Sequence, residues 1–279
     1  MKIIKTLCNL KNIISRSETG IREVWVRRIL GKGFKRNNPK IKDTKEIYSV
    51  KGYKYSQKRH AMHMNIVNKM IKQASSPKKG EKSIAILIGG GTASGKTTMR
   101  KSVIEKKLAE IGIQAVAVDP DEIKEYIPEY KLLQKTHPND AARLVHKESL
   151  DISDLLLKQL IHHRKHFIYE GTMARTRKYK NLIKKLKKAR YEVHVYIVDV
   201  PLELAKQRAD ERAKVTGRKI PPHIIENTHK LVSKTFEAIK DWVDSYYVYD
   251  NRDRLKLIAS KNYIEPALYN EFLKKGKAK

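Results

Sequence analysis

Eight consecutive residues, Gly90-Gly91-Thr92-Ala93-Ser94-Gly95-Lys96-Thr97, have types and spacing that dictate a chemistry. They fit the pattern G-x-x-x-x-G-K-S/T in full, between a short apolar run that reads as a strand and a stretch that reads as a helix. Glycines let backbone N–H groups curl around a phosphate without side-chain obstruction. The helix N-terminus adds positive dipole. Lys96 places a point charge on the terminal phosphates, and the Thr97 hydroxyl is a ligand for Mg²⁺. Gly90 to Thr98 are therefore candidate nucleotide-binding residues. The loop by itself implies a nucleoside triphosphate and leaves kinase, motor and GTPase chemistry open.

Carboxylates recur where a phosphoryl acceptor would sit. A second strand ends in Val118-Asp119-Pro120-Asp121-Glu122 and a third in Glu170-Gly171-Thr172. Ligands of parallel sheets bind at the carboxyl ends of the strands. An acceptor hydroxyl needs a carboxylate to take its proton. Asp119 and Asp121 both suit that role, or the holding of Mg²⁺ through water. Both also suit capping of the following helix, and spacing does not choose between them. Glu170 reads equally as a ligand-facing acid and as part of a turn. Arg208 and Arg212 lie one helical turn apart, and Gly217-Arg218-Lys219 breaks their helix. Arginines at such a place clamp a transferred phosphoryl group. Arg208 also suits pairing with Glu203, Asp210 and Glu211. His60, His63, His162 and His163 lack thiolates or carboxylates at metal-ligand spacing. His146, mid-helix beside Glu148, reads either as reaching the site or as packed, with packing the favoured reading.

The elements that position these residues alternate. Strands are expected at Ser83–Ile88, Gln114–Val118, Lys165–Tyr169 and Tyr191–Val200, with later ones at Tyr246–Tyr249 and Leu255–Ile258. Helices are expected at Ser56–Ala74, Gly95–Ile111, Asn139–His162, Thr176–Arg190, from Pro201, and from Pro221-Pro222 to about Val243. This is an α/β pattern: a P-loop NTPase-type parallel sheet with helices on both faces, preceded by a basic, partly helical N-terminal extension. The run Ser75-Ser76-Pro77-Lys78-Lys79-Gly80 reads as a linker. The expected units are residues 1–80, a basic extension and linker with a short amphipathic element expected at Ile21–Leu30; 81–262, the nucleotide-binding domain; and 263–279, a Lys-rich tail.

Composition bounds the rest. The chain has 279 residues with 61 Lys+Arg against 30 Asp+Glu, a net charge of +31. Residues 1–80 alone hold 21 Lys/Arg and 4 Asp/Glu. Such a stretch suits contact with nucleic acid or an anionic surface. Most of the excess is lysine, however, whereas arginine dominates specific phosphate and base recognition, and a nucleic-acid partner is not the favoured reading. No apolar run approaches the ~18–20 residues of a membrane span. Cys8 is the only cysteine, which excludes an internal disulfide and a thiolate zinc cluster. No secretory signal is visible, and the cytoplasm is the expected location.

Taken together, the motifs resemble the zeta toxin family of P-loop kinases. Gly89–Arg100 (GGGTASGKTTMR) looks like that family's phosphate loop, Asp119–Lys124 (DPDEIK) like its D-x-D segment, and Glu170–Thr172 like its substrate-binding strand end. Val200–Arg212 followed by Thr216–Pro222 resembles its two-arginine lid. The resemblance implies phosphorylation of UDP-N-acetylglucosamine on the sugar 3′-hydroxyl, with ATP and Mg²⁺. It implies Asp121 as the base, and Lys96, Arg212 and Arg218 as stabilisers of the transferring phosphoryl. Asp119, Glu170 and Thr172 are then substrate-binding, and Thr97 holds the metal. Several members are toxins held inactive by a small antitoxin, so an antitoxin partner is implied as well. Ala174 stands where the family toxin has an arginine, with Arg175 one residue later. The alternatives are a nucleic-acid or nucleoside kinase, and a nucleotide-switched module that binds nucleic acid or another partner.

Overall fold

The structure is a computed structural model that describes residues 42–50, 54–216 and 220–277. The element expected at Ile21–Leu30, and Arg218 of the lid, lie outside the described residues. Seven strands form one sheet: β1 (Ser83–Gly90), β2 (Val116–Val118), β3 (Phe167–Glu170), β4 (Tyr191–Asp199), β5 (Ser245–Asp250), β6 (Lys256–Ser260) and β7 (Tyr263–Ile264). Their order is β2-β3-β1-β4-β5-β6-β7. The first five run parallel, with Ile88 beside Glu170 and Gly90 beside Val198. β5–β6 and β6–β7 are antiparallel. The two late strands thus form a hairpin edge on the parallel sheet, because a connection of a few residues cannot make the crossover that a parallel pair requires.

The helices are α1 (Thr44–Tyr48), α2 (Gln57–Ile71), α3 (residues 96–110), α4 (Pro120–Ile123), α5 (Pro128–Thr136), α6 (Ala141–His162), α7 (Thr176–Lys188), α8 (Leu202–Thr216), α9 (Pro222–Glu237) and α10 (Pro266–Lys277). α3 is interrupted by a π-helical turn at Arg100–Ile104. The period of two along the central strands divides the core. Ala85, Leu87, Phe167, Tyr169, Val193, Val195 and Ile197 join the large apolar cluster on one face. Ile86, Ile88, Ile168 and Val198 meet Met99, Ile104 and Leu108 of α3 on the other. Strands buried on both faces need apolar residues at every position, which is why Ser83–Ile88 reads so plainly.

The helix before the boundary expected near residue 80 shares this core. Ser56 caps α2 by accepting the Arg59 N–H at 3.3 Å. Ile66, Val67 and Met70 of α2 lie buried in the large cluster. The Ser75 N–H then donates to the Gln114 carbonyl at 2.8 Å, and the His166 N–H to the Ser75 carbonyl at 3.1 Å. The Ser-Pro-Gly stretch is a connection within one packed unit, because an apolar helix face at this spacing must be buried somewhere. Likewise residues 266–277, expected within a Lys-rich tail, form α10. It buries Tyr269 and Phe272, the latter against Phe236 of α9.

Candidate active site

β1 delivers the phosphate loop to the carboxyl end of the sheet. Gly95, the residue before α3, has φ +95°, a left-handed conformation that favours glycine. A Cβ at Gly91 would meet the His229 ring at 2.1 Å, so a glycine is required there by close approach. Ala93 holds φ 61°, and Met173, just past Thr172, holds φ 53°. Strained backbone of this kind clusters at ligand sites. Lys96 donates to the Gly90 and Gly91 carbonyls at 3.0 and 2.8 Å, folded back over its own loop. Burial lowers its ammonium to about 8, against the opposite pull of Glu170.

The loop opens into a cavity of about 670 Å³. Thr92 to Thr98, Asp119, Asp121, Glu170, Thr172, Arg208 and Arg212 all line it, as do His146 and Arg175. Residues that follow β1 and β2, others at the end of β3, and two on α8, far apart in sequence, are thereby brought to one place. His146, for which packing is the favoured of two readings from the sequence, is part of the wall.

The two acids after β2 are not equivalent. Asp119 is the N-cap of α4 and accepts the Asp121 N–H at 2.9 Å. It is buried, and burial together with the nearby Glu170 carboxylate pushes it up to about 6. Asp121 lies on the first turn of α4 with its side chain 57% exposed, and Lys124 Nζ reaches its Oδ1 at 2.5 Å. At the end of β3, Glu170 Oε1 accepts the Thr97 hydroxyl at 2.5 Å. Its Oε2 accepts Arg100 Nε at 2.8 Å.

Arg100 is a site residue that the motifs do not single out. Its side chain is 2% exposed and also meets Glu105 and Glu122, each at 2.6 Å, with Asp119 at 3.6 Å. Burial alone would lower the guanidinium, but its hydrogen bonds to Glu122 and Glu170 outweigh it and hold Arg100 charged. One cation thus supports the acids of two strand ends. The only sequence signal is an arginine one turn after Lys96 on a helix that must lie against the sheet.

Three more residues brace the loop from downstream elements. The Thr92 N–H donates to Thr228 Oγ1 at 3.0 Å. His229 Nε2 donates to the Thr92 carbonyl at 3.0 Å, since a carbonyl only accepts. Asn251 Nδ2 donates to the Ser94 carbonyl at 2.9 Å. None belongs to a motif, so no spacing could disclose them. On α8, Arg208 donates to the Arg252 carbonyl at 3.1 Å, and Arg212 is exposed at the cavity wall. α8 is therefore fixed at Arg208 to the segment that follows β5.

The sheet order, the phosphate loop after β1 and the acids at the ends of β2 and β3 define an α/β fold of the P-loop kinase class. The family model described as Zeta toxin matches residues 67–263, and the chain belongs to the zeta toxin family. Toxin PezT of Streptococcus pneumoniae serotype 4 (strain ATCC BAA-334 / TIGR4) is 26% identical over 241 residues, covering 80% of this chain and 91% of the relative. Toxin zeta of Streptococcus pyogenes is 25% identical over 138 residues, covering 49% and 47%. Among solved structures, one from the PezAT chromosomal toxin–antitoxin system of Streptococcus pneumoniae aligns with a TM-score of 0.59 at 19% identity, over 80% of this chain and 95% of that one. The AvrRxo1-ORF1:-ORF2 complex with ATP aligns with a TM-score of 0.66 at 18% identity, over 83% and 82%.

Proposed function

We propose that the chain is an ATP-dependent kinase that phosphorylates the sugar 3′-hydroxyl of UDP-N-acetylglucosamine or a related sugar nucleotide. It acts in the cytoplasm as a toxin restrained by an antitoxin protein. The observation that carries the reading is the convergence of Lys96, Thr97, Asp121, Glu170 and Arg212 on one cavity. The toxin and antitoxin parts rest on the family and on its relatives. The location accords with Cys8 as the sole cysteine. Among the described residues no helix is long and apolar enough to cross a membrane.

In this reading the loop amides and Lys96 hold the ATP phosphates. Lys96 leaves the Gly90 and Gly91 carbonyls to do so. Asp121 takes the proton of the acceptor hydroxyl as its oxygen bonds to the γ-phosphorus. The bond from that phosphorus to the bridging oxygen breaks, and ADP leaves. Asp119 is engaged as a helix cap, which supports Asp121 as the base. The contact with Lys124 holds the Asp121 side chain in place until the acceptor arrives. Arg212, and Arg218 from the lid motif, close over the γ-phosphate and keep water out, which limits wasteful hydrolysis. Glu170 and Thr172 face the acceptor.

The donor set suits Mg²⁺: the Thr97 hydroxyl lies beside the Glu170 carboxylate, with Asp119 close by, all of them hard oxygens. Thr97 would hold the ion, with Glu170 acting directly or through water. When bound, Mg²⁺ neutralises charge on the phosphates. Phosphorus NMR of the protein with ATP, Mg²⁺ and UDP-N-acetylglucosamine tests the reading. A new phosphomonoester, absent with Lys96→Ala, is expected. ATP turnover with no sugar-nucleotide product, but with product from oligonucleotide ends, would reverse the substrate assignment.

A further inference from the structure

The phosphate loop leads, through side chains, to the C-terminal helix. His229 is fully buried on α9, donates from Nε2 to the Thr92 carbonyl, and turns Nδ1 toward Asp199 Oδ1 at 3.8 Å. Asp199 is the last residue of β4, the strand beside β1, and its side chain is 10% exposed. Its other oxygen, Oδ2, accepts Lys275 Nζ of α10 at 2.6 Å. The same ammonium donates to the Val200 carbonyl at 2.6 Å. Lys275 is itself only 11% exposed, although it lies in the stretch expected as a Lys-rich tail.

We propose that Lys275 is a positioning residue for the nucleotide phosphates, acting through Asp199 and His229 on the phosphate loop. The proposal rests on the reading of that loop as the ATP site. The chemistry of the chain of contacts is specific. A buried aspartate needs a compensating cation, and Lys275 supplies one within hydrogen-bond distance. With its charge met on one oxygen, Asp199 presents the other to the His229 ring. That carboxylate faces the Nδ1 edge of the ring at 3.8 Å, beyond hydrogen-bond reach, while Nε2 on the opposite edge meets the Thr92 carbonyl at 3.0 Å. The ring also occupies the space a Cβ at Gly91 would need, so its placement decides where the loop backbone runs. Without Lys275, Asp199 would draw in water or turn toward another donor, and the ring would lose its fixed orientation. The loop amides would then meet the phosphates out of line. A simple anchor for α10 needs none of this: Tyr269 and Phe272 already hold that helix by apolar burial. Asp199 would serve as well for that purpose without a histidine beyond it.

The test measures ATP·Mg²⁺ affinity of the full chain by calorimetric titration, beside steady-state KM for each substrate. For Lys275→Met, ATP binding is expected to weaken about tenfold, the scale of a residue coupled to a site through a contact network. KM for the acceptor should stay unchanged. Lys275→Arg, which keeps a charged donor, should recover most of the loss. Lys274→Ala, on the exposed side of the same helix, should bind ATP as the parent does. His229→Ala should weaken ATP binding as Lys275→Met does, and the double variant should be no worse than either alone. If Lys275→Met lowers the melting temperature while ATP affinity stays that of the parent, Lys275 is only an anchor and the proposal fails. Additive losses in the double variant would break the proposed chain at His229. If the parent protein itself binds no ATP, the reading of the loop fails instead, and that result is distinct from both.

Discussion

At the residue scale, environment separates groups that look alike in sequence. Asp119 and Asp121 sit two positions apart, yet one is a buried cap and the other an exposed first-turn acid beside Lys124. Asp121→Asn should therefore lower phosphoryl transfer ~10²–10⁴-fold, the usual worth of a positioned base. ATP affinity should stay close to that of the parent, as read by nucleotide titration. Strong residual transfer would shift the role to Asp119. Lys96 makes a second prediction. Its nucleotide-free ammonium is lowered to about 8, and only the charged form attracts phosphate. ATP affinity should be flat below about pH 7 and fall roughly tenfold per pH unit above 8, because protonation is linked to binding. A titration series from pH 6.5 to 9.5 checks the slope, and an affinity indifferent to pH would contradict it. Arg100 makes a third. It is the shared cation of Glu170, Glu122 and Glu105, with Asp119 nearby. Arg100→Met leaves the buried Glu170 carboxylate without its cation and should cost about 3–5 kcal/mol in urea unfolding.

At the element scale, α6 forms part of the cavity wall through His146, and a buried network sets its place. Arg59 of α2 forks onto Glu129 of α5 and Glu148 of α6, with contacts of 2.5–2.9 Å. His63 Nε2 adds a 2.6 Å contact to Glu148, and the Arg59 guanidinium lies 3.9 Å from the Tyr48 ring centroid. Burial would raise the Glu148 carboxyl, but hydrogen bonds from His63 and Arg59 overcome it and bring it down to about 2. The sign follows from linkage. The unfolded chain binds this proton at pH values where the folded chain does not. The stabilisation is thus complete above about pH 4.5 and is lost as pH falls toward 2. Glu148→Gln should flatten the acid limb of the stability curve over that window. It should also lower stability at pH 7 by about 3–5 kcal/mol, since Arg59 would keep only one of its two carboxylates. Equilibrium urea unfolding at pH 7, 5 and 3 measures both effects.

At the scale of the whole molecule, part of the positive charge among the described residues of 42–80 serves the fold. Arg59 is buried in the network above, and Lys45 pairs with Asp151 of α6 at 2.8 Å. These cations hold the N-terminal elements to the body of the protein and are not available to an anionic partner. Removing residues 1–80 would also strip α2 and expose the seat of Val67 and Met70, both at most 4% accessible. The shortened chain should lose cooperative unfolding, as followed by circular dichroism in urea. If it folded and turned over ATP normally, the first 80 residues would form a separate unit after all.

The phosphate loop, the D-x-D acids, the Glu170 strand end and the parallel sheet with its alternating helices are legible in the chain itself. Each is a local pattern: a glycine spacing that only a phosphate cradle needs, an acid at the end of an apolar run, or a period that one kind of element satisfies. The antiparallel hairpin edge is less legible, because pairing partners are chosen by connection length and the sheet's free edge. Nothing local marks Arg100 as the cation beneath Glu170, or Thr228, His229 and Asn251 as braces of the loop. Their roles exist only where α3, α9 and the segment after β5 meet, more than a hundred residues apart in the last three cases. The sequence by itself determined that a phosphate loop and two acid-bearing strand ends would face one another. Tertiary structure decided which acid is the cap, which cation supports them, and that the helices outside the expected boundaries pack into the same core. Burial and hydrogen-bond partners are set by neighbours in space, and they make one aspartate a cap and the next a candidate base.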